Sequence, residues 1–561
     1  MIDMPIEPTY FTKRSALLTS LRKNTTTNID EKWDVIVIGG GIVGAGVLQE
    51  ATRRGLKALL IEQKDFAWGT SSRSSKMVHG GLRYVAQGDL KLTKHSLHER
   101  ELLLKEAPGL INRMGYYFVI RKWQFPGRFI MNTLLSLYDA LAGIKDHRFF
   151  DQIETLKQFP SLAPNKLKGS CYYTDSVVDD ARLVIRVIQE SIQAGAQAIN
   201  YVKATTLVKD PITEEVIGVK IQDGSKESEL ITLKSSVVIN ATGAWADKLR
   251  SEVVNEQRVR PLRGSHLVVS QEVLPVSGAL TILHPKDKRP VFISPWEGVT
   301  VIGTTDLDHQ ENLDDEANIS QVEVDYLLQA VSINFPESNI TYQDVISTFS
   351  GVRPVISSDK DFSKQASKER RDHAIWAEKA LITASGGKLT TFRLTAIEAL
   401  NAAIPWLKLS NNKEQNGDKV FTNHSLEQIF PNSNKYNKFE KTWLQRLIGR
   451  YGNNASLILS QASDAEKITI ENSQFCLAEC RWAIKNEAVI HLDDLLLRRT
   501  RLGLLLKNGA NALFSQLADI FQQELGWDKT KWQDEVARYN SIWQQCYYLP
   551  KPVNNEPSIN I

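Results

Sequence analysis

The sequence predicts a mixed α/β fold. One parallel sheet is assembled from separated stretches of chain, a β-rich part is set between them, and the C-terminal part is all-helical. Three observations predict this. A short apolar run enters a glycine turn and then helix-like sequence at Val35–Gly46 (VIVIGGGIVGAG), and the pattern returns at Val237–Asp247 (VVINATGAWAD) and Leu381–Leu400. Between these places, short alternating runs separated by turn residues read as antiparallel layers. Beyond about residue 425 the apolar spacing is helical.

The length of 561 residues, with 42% hydrophobic and 24% charged residues, is that of a soluble globular chain of several domains. A formal charge of +3 gives no global nucleic-acid footprint. The four cysteines (Cys171, Cys476, Cys480, Cys546) are too scattered for a disulfide framework and no His completes a zinc site, so buried thiols and a reducing compartment are expected, with no metal. Lys13, Arg14, Arg22 and Lys23 precede no apolar signal-peptide core, and no run has the ~18 apolar residues of a membrane span.

Residues 1–30 read as a polar arm with a short helix around Leu17–Leu21. The first βαβ unit runs from Asp34 to Glu62. Gly39, Gly41 and Gly44 stand at G-x-G-x-x-G spacing: a tight turn, a close backbone approach for a pyrophosphate, and close packing of helix on strand. The helix start offers unpaired N–H groups to phosphates. Glu62 closes the next strand, where a carboxylate would accept hydrogen bonds from a ribose. The unit is Rossmann-like, and a bound dinucleotide is expected.

Residues 69–89 (GTSSRSSKMVHGGLRYVAQGD) are too rich in Gly and Ser for a regular element, and a helix follows at Leu90–Lys105. Residues 121–148 are a distinct island. Arg121, Lys122, Trp123, Phe125, Arg128 and Phe129 lead into a stripe of Ile130, Leu134, Leu137, Tyr138 and Leu141, and Lys145, His147 and Arg148 close it. That is the pattern of a helix lying in a membrane interface, although a core-facing helix has the same spacing. A strand and an acid-led helix to Gln193 follow, then a small antiparallel layer (Thr205–Val208, Val216–Ile221, Glu229–Leu233). Val237–Asn240 reads as a strand returning to the first sheet. Residues 258–350 are β-rich with a helix at Val322–Phe335. A polar link spans roughly 410–425, and helices follow, including HLDDLLLRRTRLGLLL.

Taken in order, GGGIVGAG, GTSSRSSKMVHGGLRY, NATGAWAD, PLRGSH, GTTD, FSGVRP and GGKLTTFR resemble the FAD-dependent, quinone-linked aerobic glycerol-3-phosphate dehydrogenases, within the D-amino-acid-oxidase-like flavoproteins. The likeness covers about residues 30–400. It implies a discontinuous Rossmann-like FAD-binding domain (31–105, 170–255, 345–405), an inserted β-rich substrate domain (106–169, 256–344) and a helical C-terminal domain (425–561). It also implies non-covalent FAD, glycerol 3-phosphate oxidised to dihydroxyacetone phosphate, and electrons passed to membrane quinone in respiratory glycerol catabolism. A homodimer is left open.

The implied chemistry needs a clamp for a dianionic phosphate and a group that removes one proton. Arg83 in HGGLRY and Arg353 in FSGVRP are the phosphate candidates, because a guanidinium binds phosphate bidentately, and Tyr84 adds a hydroxyl. His266 in RGSHLVV is the candidate base, with His79 a competitor. Lys388 is the candidate positive charge at the flavin or the substrate. The likeness makes catalytic candidates of His266, Arg353, Lys388 and Arg83. For the cofactor it adds Gln63, Thr70, Ser71, Ser72, Ser75, Lys76, His79, Gly80, Gly81, Ala241, Gly243, Gly386, Gly387, Leu389 and Thr390 to the first glycines and Glu62; Ser74 belongs to the same loop and Asp306 reads as structural.

Competing readings are an α-glycerophosphate oxidase that uses oxygen and forms hydrogen peroxide, an amino-acid oxidase, and a non-catalytic flavin-binding sensor. Two arginines beside glycine loops favour phosphate over an amino-acid substrate, and no long insertion of the oxidase kind is seen. Quinone is lipid-soluble, so the protein is expected on the lipid surface, peripherally bound through 121–148 to the cytoplasmic face of the inner membrane.

Overall fold

A computed structural model describes residues 14–27, 32–86, 88–224, 230–357, 372–407, 419–431 and 436–551. Strand Trp33–Ile38 runs parallel between Ile231–Asn240 and Ala58–Ile61. Leu381–Gly386 and Gln197–Ile199 extend the parallel array on either side, and His373–Glu378 closes one edge as an antiparallel hairpin. These strands read as nearly continuous apolar runs because both faces are covered. Val35, Val37, Leu60, Val237, Ile239 and Ile382 pack in one cluster with helices Ile42–Arg53, Asp180–Gln193 and Phe392–Ala402. Ile36, Ile38, Leu59, Ile61 and Val238 pack in another with a three-stranded meander.

The meander comprises Val202–Lys209, Val216–Asp223 and the first residues of Ile231–Asn240. That last strand serves twice: Ile231–Lys234 pair antiparallel with Gly218–Ile221, and Ser235–Asn240 then pair parallel with the first strand. Helix Arg14–Thr27 buries Leu17, Leu18 and Leu21 against this layer, and Arg14 pairs with Asp223. Residues 1–13 of the expected arm and most of the expected link lie outside the described residues.

In the second sheet, Val259–Ser270 pairs along its length with Val345–Ile356 and, on its other edge, with Val299–Gly303. Ile111–Arg121 pairs antiparallel with Leu167–Val178. Sheet membership departs from the sequence reading here. Val345–Ile356, most of Leu167–Val178 and the short strand Met77–Val78 fall in stretches read with the first domain, yet they pair in the second sheet. Their partners are long antiparallel strands, a long-range pairing that no local spacing encodes.

Helix Arg128–Ala142 ends on Gly143 in the left-handed conformation (φ 71°). Its inner face is Met131, Leu135 and Tyr138, all buried in one cluster, with Leu134 and Leu141 half-buried beside them. The outward face is Phe129, Ile130 and Leu137, preceded by Trp123 and Phe125, all exposed. Tyr138 of the expected stripe is therefore core, and the exposed apolar surface is rotated towards Phe129.

The C-terminal part contains helices Lys441–Tyr451, Leu477–Asn486, Phe514–Leu525 and Lys529–Cys546. The stretch read as helical, HLDDLLLRRTRLGLLL (491–506), holds a π-helix, Asp494–Arg499, and a short α-helix, Leu502–Leu505, separated by a break at Arg501 (φ 63°). Arg498, Arg499 and Arg501 are fully buried. Arg499 meets the Asp65 carboxylate at 2.7 and 2.8 Å, Arg498 reaches Asp65 and Asp493, and Arg501 donates to the Ser72 carbonyl.

Candidate active site

A cavity of about 380 Å³ runs along the ends of the parallel strands. Gly39 and Gly41 from the first turn, and Glu62 and Gln63 at the end of Ala58–Ile61, line it. Thr70 and Ser71 contribute from the Gly-Ser loop, and Ala241 and Gly243 from the strand that returns to the sheet. Gly386, Gly387, Lys388 and Leu389 close the far end.

The local geometry explains the residue types. Gly39 has φ 111°, and a Cβ there would lie 2.5 Å from the Ala241 carbonyl oxygen. A Cβ on Gly44 would lie 1.9 Å from the Gly39 carbonyl oxygen, so Gly44 packs the helix on its strand and does not line the cavity. Glu62 is buried and accepts the Gly40 N–H at 2.6 Å and the Lys64 N–H at 2.8 Å. Burial raises its pKa. Ser71 Oγ accepts the Ile42 N–H at 2.9 Å, tying the Gly-Ser loop to the helix start.

This cavity fits an FAD-sized dinucleotide. It holds a carboxylate where a ribose would lie, a glycine-lined helix start in the middle, and a Gly-Gly turn with Lys388 at the end. Gly386 and Gly387 both have positive φ (79° and 78°), so neither position suits a side chain. Among the described residues no group of His, Cys, Asp and Glu is arranged for a metal ion.

The Gly-Ser loop separates this cavity from one face of the second sheet. Thr70 and Ser71 face the cavity, and Ser74 borders it while its hydroxyl donates to Asp180 at 2.7 Å. On the other side, Ser75 Oγ is 2.9 Å from His266 Nε2, and the Arg73 carbonyl would lie 2.7 Å from a Cβ on Gly351. His266 stacks on Phe349 (centroids 4.5 Å apart, 12°), its register partner. Its Nδ1 has no well-aligned partner. Burial, then the positive charges of Arg353 and Lys76, hold its pKa well below the usual imidazole value, so the ring is neutral.

Arg353 emerges on the same face, because its register partner Leu262 stands two residues from Gly264 and four from His266. Gly264 leaves the room it needs: a Cβ there would be 2.6 Å from Arg353 Nη2. Asp306 holds Nη1 at 3.2 Å and Thr304 Oγ1 holds Nη2 at 3.1 Å. Asp306 also pairs with Arg289 at 3.1 Å, so two guanidiniums share this carboxylate. Asp306, read as structural, is what orients the arginine.

Lys388 Nζ lies 3.6 Å from the centroid of the Tyr84 ring and donates to Ser96 Oγ at 3.1 Å. Burial pushes its pKa down to about 7. Gly81, at φ 84°, leaves this space open, since a Cβ would be 3.1 Å from Lys388 Nζ. His79 is joined to Thr390: its N–H donates to Thr390 Oγ1 at 3.1 Å, and its carbonyl accepts from that hydroxyl at 3.2 Å.

Some expected cofactor residues turn elsewhere. Lys76 points away from the cavity to the buried Asp180 carboxylate (2.9 Å) and the Ser72 carbonyl (2.7 Å). Ser72 is buried behind the loop, and Gly80 donates to Tyr138 and Asp175. Arg83 lies in helix Leu82–Ala86, but its side chain is outside the described residues. Sequence reasoning missed Val202–Thr205, Trp68, Trp245 and Pro354 in the cavity lining. The tryptophan of NATGAWAD was the available signal; the strand residues carry none.

Residues 34–393 match the family of FAD dependent oxidoreductases, and residues 415–532 match the C-terminal domain of alpha-glycerophosphate oxidase. The aerobic glycerol-3-phosphate dehydrogenase of Staphylococcus haemolyticus is 32% identical over 86% of this chain and 90% of its own. The glycerol-3-phosphate dehydrogenase of Mycobacterium leprae is 33% identical over 91% of this chain and 88% of its own. The crystal structure of the glycerol-3-phosphate dehydrogenase from Bacillus halodurans complexed with FAD superposes with a TM-score of 0.74 at 25% identity, covering 94% of this chain and 97% of that one. With its glycine-turn cavity and its discontinuous parallel sheet, the chain belongs to the FAD-dependent oxidoreductases, in the glycerol-3-phosphate dehydrogenase family.

Proposed function

We propose that the protein oxidises sn-glycerol 3-phosphate to dihydroxyacetone phosphate and passes the electrons to quinone at a lipid surface. The observation that carries the substrate reading is the arginine pair on Asp306. Arg353 and Arg289 share the Asp306 carboxylate, and Thr304 and Asp306 hold the Arg353 fork in one orientation. A dianionic phosphate suits such a site, with Arg83 of HGGLRY as its expected second arm.

FAD, when bound in the cavity, supplies the ring that accepts the hydride from C2. The chain's own residues do the rest. Neutral His266 lies behind the Gly-Ser loop, where its contact with Ser75 Oγ helps hold the loop that lines the flavin cavity. Lys388, charged below about pH 7, offers a positive charge beside Tyr84. The Gly386–Gly387 turn brings backbone close to the same place. Loss of a hydride and a proton from the C2 alcohol leaves the ketone.

The acceptor reading is supported by the exposed face of Trp123, Phe125, Phe129, Ile130 and Leu137, flanked by exposed Lys122, Arg128, Lys145 and Arg148. No described helix is long and apolar enough to cross a membrane, so this face is the proposed lipid contact, at the cytoplasmic face of the inner membrane. The match of 415–532 to a domain of an oxidase makes oxygen the acceptor to test beside quinone.

Anaerobic mixing with glycerol 3-phosphate should bleach the flavin absorbance, and a quinone analogue should restore it faster than oxygen. An unbleached flavin refutes the substrate. Fast oxygen recovery with hydrogen peroxide identifies an oxidase.

A further inference from the structure

The surface helix Arg128–Ala142 does more than present an apolar face. Its one buried hydroxyl reaches the loop that carries Tyr84. Tyr138 is fully buried and accepts the Gly80 N–H at 3.0 Å. It donates to the Asp175 carboxylate, whose oxygens lie at 2.8 and 3.0 Å. Asp175 Oδ1 also accepts the Gly80 N–H at 3.1 Å and is held by Arg100 Nη1 at 2.6 Å. Gly80, Tyr138, Asp175 and Arg100 thus form a closed, buried hydrogen-bonded set. Burial raises the Tyr138 pKa well above the usual phenol value, so the hydroxyl remains a donor to Asp175.

Gly80 has no freedom inside this set. A Cβ there would lie 2.3 Å from Leu97 Cδ2 and 2.4 Å from Tyr138 Oη. The next residue, Gly81, starts the turn into helix Leu82–Ala86, whose Tyr84 ring lies under Lys388 Nζ. Val85 and Leu82 of that helix pack in the same cluster as Met131, Leu135 and Tyr138. The path from the surface helix to Lys388 is therefore short and made of packed or hydrogen-bonded groups.

We propose that Tyr138 is a positioning residue: it ties the surface helix to Gly80 and so fixes the height of the Tyr84–Lys388 pair at the substrate site. This rests on the reading of the HGGLRY loop and Lys388 as part of that site. Tyr138 is buried away from the cavity and does not line it. It acts through the backbone of Gly80.

The test is Tyr138→Phe in the full-length holoenzyme. Phenylalanine keeps the edge contact with Tyr173 (centroids 6.0 Å apart) and removes only the hydroxyl. Dihydroxyacetone phosphate is titrated into the oxidised enzyme and followed by the flavin absorbance, and turnover is measured with a soluble dye. The expected result is full FAD content, a product Kd and a KM for glycerol 3-phosphate raised about fivefold or more, and kcat within about twofold, as for one lost positioning hydrogen bond. Tyr539→Phe is the control. It removes an equally buried hydroxyl, bonded at 2.8 Å to the Gly509 carbonyl in the C-terminal part, and should lower Tm without moving Kd or KM. Unchanged Kd and KM in Tyr138→Phe overturn the proposal, as do equal shifts in both variants, which would mark a general loss of stability. A parent enzyme whose flavin does not respond to the product instead overturns the substrate reading.

Discussion

Replacing Trp123 with Asn and Phe129 with Ser should release the protein from lipid without harming its fold. The two side-chain-bearing residues are 94% and 84% exposed, so almost none of their apolar area contributes to folding. Trp123 has φ 65°, a conformation that Asn tolerates well. An aromatic side chain carries about 150–250 Å² of surface, and at about 25 cal/mol per Å² full burial is worth about 4–6 kcal/mol. A helix lying in the interface buries about half of that, or about 2–3 kcal/mol per ring. Losing both costs about 4–6 kcal/mol, which is about three to four orders of magnitude in partition coefficient. Vesicle flotation measures this directly. Turnover with a quinone dispersed in vesicles should collapse, turnover with a water-soluble dye should persist, and Tm should move by less than about 2 °C. A double variant that still floats with vesicles and reduces quinone at the parent rate refutes the assignment of this face to lipid.

Other outcomes follow from the site. Arg353→Lys should keep its FAD but raise the KM for glycerol 3-phosphate at least about tenfold, since one charge-assisted hydrogen bond is worth about 1.5–3 kcal/mol and an ammonium cannot reproduce the fork. Glycerol, which lacks the phosphate, should be turned over equally by parent and variant, and an unchanged KM would sink the clamp. The Lys388 charge is present below about pH 7 and lost above it. Dye-linked kcat should therefore decline as pH rises through that value, and Lys388→Arg, charged throughout, should lose this alkaline limb. Gly39→Ala places a Cβ 2.5 Å from a backbone oxygen at φ 111°, so purified protein should contain little flavin. Heat-denatured parent should release FAD into the supernatant in about one equivalent, as non-covalent binding requires.

What was legible in the sequence was mainly local. Gly39 and Gly44 announce their turn because each meets atoms within a few residues or at the end of the neighbouring strand. The Gly386–Gly387 turn is legible for the same reason. Lys76 was not. Its partner Asp180 is 104 positions away, and a lysine in a Ser-rich loop looks the same whether it faces a phosphate or a buried carboxylate. The apolar stripe of residues 128–142 misled for a different reason. Phe129, Ile130, Met131, Leu134, Leu135, Leu137 and Tyr138 offer more than one apolar face, and only packing against the sheet selects Met131, Leu135 and Tyr138 as the inner one. His266 was legible through its motif, whereas its contact with Ser75 joins positions 191 apart and has no local signature.

The buried arginines of the Asp494–Arg501 segment bear on how the protein is made. Asp65 stands three residues after the carboxylate of the nucleotide cavity, and two of its guanidinium partners lie 433 and 434 positions later in the chain. Arg501 likewise reaches back to the carbonyl of Ser72. Chains emerge from the ribosome N-terminus first, at roughly 5–20 residues per second. For tens of seconds, then, the nascent first sheet carries an acidic group destined for burial without the charges that neutralise it. The ion pairs on Asp65 and the hydrogen bond on the Ser72 carbonyl cannot form until Arg498, Arg499 and Arg501 have been synthesised. A transcript truncated before Arg498 should therefore yield a species that exposes Asp65 to water and holds its Gly-Ser loop loosely, a natural substrate for proteolytic clearance.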